Sequence, residues 1–103
     1  MDNDNILAKF IDLLRADEYF EAHEVLEHEW HKLKSLNHPK ANLARGLINA
    51  AVAFEHLKRN TPTAMDKAKR TYSGYTKYAH LAHDAEWLEA STLVEKMAKE
   101  KGL

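Results

Sequence analysis

Wound as a helix, the stretch Leu43-Ala44-Arg45-Gly46-Leu47-Ile48-Asn49-Ala50-Ala51-Val52-Ala53-Phe54 is apolar around most of its circumference. Such a helix has almost no face to give to water, so the rest of the chain must wrap it on several sides. The remaining sequence is suited to doing so with more helices. Only three glycines and two prolines occur in 103 residues. No run of roughly four to eight residues alternates apolar with polar among β-branched side chains, which leaves strands no place to form. The expectation is an all-α, compact bundle of five antiparallel helices in a single domain covering residues 1–103.

Turn signals divide the chain. Asp4 is placed to cap a first helix through Ile6, Leu7, Phe10, Ile11 and Leu14, ending near residues 15–17. Asp17 then caps a second helix, about residues 17–34, which the Ser35-Leu36-Asn37-His38-Pro39 segment breaks. Pro39 suits the first turn of the central, buried third helix, about residues 39–60. Thr61-Pro62 opens a fourth through Ala64, Ala68, Tyr72, Tyr75 and Ala79, ending around His80 to His83. Asp84 caps a fifth, which turns Trp87, Leu88, Val94 and Met97 inward and frays over residues 99–103. Tyr72, Tyr75 and Tyr78 read as core and rim packing rather than as a platform for stacking bases.

Composition removes whole classes of chemistry. Without cysteine there are no disulfides, thiolate nucleophiles, iron–sulfur clusters or cysteine-ligated zinc. Fifteen Lys and Arg against sixteen Asp and Glu give a net charge of -1, with no long block of one sign, which argues against a nucleic-acid partner. No apolar run approaches the ~18 residues needed to cross a bilayer, so no membrane role is expected. The acidic start Met1-Asp2-Asn3-Asp4-Asn5 is unlike a secretory leader, and a cytoplasmic location is the expectation. Seven histidines mean that full protonation would move the net charge from -1 to +6, so mild acid should matter.

The second helix carries the chemistry. Advancing about 100° per residue from Tyr19, the side chains of Leu26, Trp30 and Leu33 cluster with Tyr19 in one arc, with Phe20 at its edge. His23 and Glu27 fall inside that arc, while Glu21, Glu24, His28 and Lys32 lie on the wet side. One turn separates His23 from Glu27, so imidazole and carboxylate can touch each other or grip a common third object. Buried charges need partners. The third helix offers Arg45, Asn49, Val52 and His56 at intervals of four, three and four, a polar row on an otherwise apolar element. The two rows are expected to face one another as a buried cluster of His23, Glu27, Arg45, Asn49 and His56, with Trp30 closing one side.

Three readings of that cluster stand open. In the first it is a purely structural network fixing how two helices dock, within a module that pairs as a homodimer or with another helical protein through a patch near Trp87 or the tyrosine row. In the second, His23, Glu27 and His56 supply two nitrogens and a carboxylate to a divalent metal ion such as zinc, iron or manganese. In the third, Glu27 or His23 is a general acid or base acting on a small molecule. Under any of them, burial predicts that replacing Glu27 costs several kcal/mol and replacing Glu21 little.

Motif look-alikes fail on spacing. His23-Glu24-Val25-Leu26-Glu27 has glutamate where the zincin signature needs its second histidine, and no glutamate stands three residues before a histidine as di-iron bundles require. His28 and His31 read as a solvated charged face. The segment Tyr19 to Trp30 does resemble one family, the bacterial and archaeal domain of unknown function 309, whose pattern His-x3-Glu-x2-Trp is met by His23, Glu27 and Trp30. Gly46 to Ala53, followed by His56, resembles that family's second helix, and the likeness spans roughly residues 10–68. It implies a small helical bundle with a metal site at the motif and no established reaction. Asn49 stands where that family commonly has glutamine, and Arg59-Asn60 where it has Gly-Asn.

Overall fold

A computed structural model describes residues 6–103. It contains five α-helices, α1 (Ile6–Arg15), α2 (Tyr19–Ser35), α3 (Ala41–Arg59), α4 (Ala64–Thr76) and α5 (Ala85–Glu100), with a 3-10 turn at Ala79–Leu81 before α5. No strand occurs among the described residues, so the fold is all-α. None of the described helices is long and apolar enough to cross a membrane. The expected Asp4 cap lies outside the described residues.

The helix that had to be wrapped is wrapped: α3 packs against α2, α4 and α5. Leu43, Ala44, Leu47, Ala50, Ala51, Ala53 and Phe54 are fully buried, the alanines letting neighbours come close. Closest is α4, because a Cβ added at Gly46 would stand 3.3 Å from the Tyr75 Cα. Phe10 and Leu14 of α1, Leu26 of α2 and Val94 of α5 complete the same core.

Several helix ends are set by a residue in the left-handed conformation that closes the preceding helix. Asp17 does not cap α2; it takes a left-handed conformation (φ 61°) just past α1. Its N–H donates to the Leu14 carbonyl (3.0 Å) and that of Glu18 to the Leu13 carbonyl (2.9 Å), a Schellman closure. Asn37 (φ 53°) and Gly102 (φ 86°) do the same for α2 and α5. After Gly102, the Leu103 N–H donates to the Ala98 carbonyl (2.8 Å), so the tail expected to fray is folded back. Leu103 packs on the core. Asn60 (φ 55°) ends α3, supplying the left-handed residue that asparagine tolerates.

Other starts shift by a turn or less. Pro39 and Thr61-Pro62 lie in turns ahead of α3 and α4, and α4 stops at Thr76, short of the expected His80 to His83. Asp84 holds the N-cap position of α5 without a side-chain cap bond. Its carboxylate is instead 3.4 Å from the Lys40 ammonium. Leu88, expected to turn inward, is 47% exposed. The buried stripe of α5 runs through Ala90, Val94 and Ala98, and Leu88 stands about 200° from Ala90 on the wheel.

Candidate functional site

The buried face of α2 is Tyr19, Ala22, Leu26 and Leu33. Ala22, a small residue that the wheel argument passed over, draws the centre of that face away from His23 and Glu27. Those two therefore stand on the flank of α2 and are not enclosed: their side chains are 24% and 46% exposed. Imidazole Nε2 and carboxylate Oε1 are 3.6 Å apart. On α3, Arg45 is exposed and Asn49, Val52 and His56 are half-buried, a row along the seam with α2.

His23, Glu27, Trp30, Arg45 and Asn49 meet around one open groove of about 430 Å³ along this seam. His56 lines an adjoining cleft of about 210 Å³ with Tyr19 and Phe20, and His23 and Val52 border both. The Trp30 indole carries two cations, the Lys34 ammonium 5.0 Å and the Arg45 guanidinium 5.9 Å from its ring centre. Behind the groove, Asn49 reaches α4 at Gly74, where a Cβ would collide with the Asn49 side-chain amide. Gly74 thus leaves the room that amide occupies.

These two walls, α2 and α3, lie inside a stretch with a known signature. The family model described as domain of unknown function (DUF309) matches residues 7–68. The chain belongs to the DUF309 family. The DUF309 match runs from α1 into the first turn of α4 and so covers both walls of the groove and His56. No curated protein and no solved structure matches the chain.

As a metal centre, the DUF309 seam offers a partial donor set. Two donors about 2.1 Å from a tetrahedral zinc lie roughly 3.4 Å apart, close to the separation of His23 and Glu27. Among the described residues, however, no three His, Asp or Glu side chains converge as ligands. His56 stands in the next cleft.

Two features escaped the sequence reading. Lys34 joins the groove, and the available signal was its position one turn after Trp30. Lys40, only 7% exposed, was also missed. Its ammonium donates to the Leu81 carbonyl (3.0 Å), tying the α2–α3 turn to the chain before α5. Among the titratable groups, burial pushes the phenols of Tyr19, Tyr72 and Tyr75 up, Tyr72 to about 12. Tyr19 also donates to Asp17 (2.7 Å) and Tyr75 to Glu95 (2.6 Å), which holds their protons further.

Proposed function

We propose that the α2–α3 seam is a binding site for a small organic anion. The observation that carries this reading is the pair of cations, Lys34 and Arg45, both held over Trp30 at the rim of an open groove in which, among the described residues, Glu27 is the only carboxylate. Arg45 can present a planar fork to a carboxylate, and the Asn49 amide lines the same groove as a further donor and acceptor. The His23–Glu27 pair adds an imidazole that can donate to the ligand while the carboxylate orients it. The reading assigns binding and no reaction.

Amide chemical-shift titration with simple carboxylates tests it. Saturable shifts at Trp30, Arg45 and Asn49 are expected, weakened roughly ten-fold or more in Arg45→Ala, since a hydrogen bond to a charged group contributes about 1.5–3 kcal/mol. Absence of any saturable shift in the seam would sink the reading.

The 3.6 Å spacing of His23 and Glu27 favours a second reading, in which the pair holds a divalent metal (zinc, iron or manganese) with its other positions filled by water or ligand. Untagged protein titrated with zinc should then show binding that His23→Ala abolishes. Binding unaffected by that change would count against a metal there.

A further inference from the structure

The seam has two chemically different ends. Around Trp30 it is cationic and amide-lined. Past His23 the smaller cleft is walled mainly by the apolar surfaces of Tyr19, Phe20 and Val52, with His56 as a polar group among them. The charges at that far end are already spent on each other, because Arg59 Nε lies 3.3 Å from Glu55 Oε2. Phe20 is 53% exposed, a large aromatic surface left in water at the mouth of the cleft. The His23 ring stands edge-on to it at 5.8 Å. Phe20 and Trp30 are ten residues apart on α2, about 15 Å at the rise of an α-helix, so one occupant reaching both ends must be elongated.

We propose that the occupant is an amphipathic monocarboxylate, its head between Lys34 and Arg45 and its hydrocarbon tail running past His23 and Val52 into the Phe20 cleft. This rests on the anion-binding reading above and adds the class of ligand. A compact ion would leave the apolar end empty, and a neutral hydrocarbon would leave the two cations unanswered. The tail gains by taking Phe20, Tyr19 and Val52 surface out of water, and the head gains from charge-assisted hydrogen bonds.

The experiment is a calorimetric titration of the full chain with butanoate, hexanoate, octanoate and decanoate below their micellar concentrations. Affinity should change little among the shorter acids and rise toward decanoate, by up to roughly four-fold for each methylene that reaches the Phe20 cleft, the equivalent of about 0.8 kcal/mol. Phe20→Ser, at a half-exposed position, should flatten that gradient, with Val52→Thr as a second variant that does the same. Arg45→Ala should weaken every member by a common factor. Equal affinity for butanoate and decanoate would overturn the tail while leaving the anion site standing. Failure of all four acids to bind would overturn both. Binding only to anionic lipid vesicles and to none of the monomeric acids would assign the seam to a membrane surface and overturn the proposal.

Discussion

Replacing Tyr72 by Phe should make the protein more resistant to alkali by a calculable amount. In the folded chain, burial and then the Glu95 carboxylate hold the Tyr72 phenol protonated up to about 12. In the unfolded chain it ionises near 10. The neutral, protonated phenol is the form the fold favours, so its contribution is complete below pH ~10 and is lost as pH climbs toward ~12. Between those limits each such tyrosine lowers the unfolding free energy by about 1.4 kcal/mol per pH unit. Tyr19 and Tyr75 are shifted the same way, so three groups together give a slope near 4 kcal/mol per pH unit. Over two pH units that is at most about 8 kcal/mol, comparable with a total stability of about 5–15 kcal/mol. Solvent at the part-buried Tyr72 ring makes these figures ceilings.

The Phe variant keeps the ring that lies 5.3 Å from Tyr75 and 6.5 Å from Phe54, so little should change at neutral pH. Above pH ~10 its slope should be shallower by about 1.4 kcal/mol per pH unit. Urea unfolding of both proteins at several pH values between about 8 and 12 measures this, and lysine titration cancels because both chains share it. Parallel stability curves for the two proteins would refute the linkage.

Gly74→Ala should destabilise by about 1–3 kcal/mol, although alanine ordinarily strengthens a helix interior, because the new Cβ meets the Asn49 amide. Adding Asn49→Ala should recover part of that loss in urea melts, and a stabilising Gly74→Ala would show that the collision is relieved without cost. Glu27→Ala should cost less than about 1 kcal/mol, since its partner His23 is a neighbour on an open flank. A loss of several kcal/mol in thermal unfolding would restore the buried network expected from the wheel.

Periodicity made the all-α fold legible. An apolar surface around most of residues 43–54 demanded a central helix, and α3 is that helix. The helix wheel also brought His23, Glu27, Trp30, Arg45 and Asn49 to one seam. It failed on depth, since it weighted large apolar residues and overlooked how Ala22 turns α2. It failed again at Asp17, because a cap residue before a helix and a left-handed residue after one look alike in sequence. Packing alone brought Phe20 to Val52 and His56 across the seam.

Local chemistry, then, was enough to set the number of helices, their apolar stripes and the polar pair one turn apart on α2, because each depends on residues a few positions from one another. How far each helix rotates about its own axis depends on contacts between residues distant in the chain. For α2 that rotation, with Ala22 buried against the core, is what left His23 and Glu27 on an open seam instead of inside the bundle.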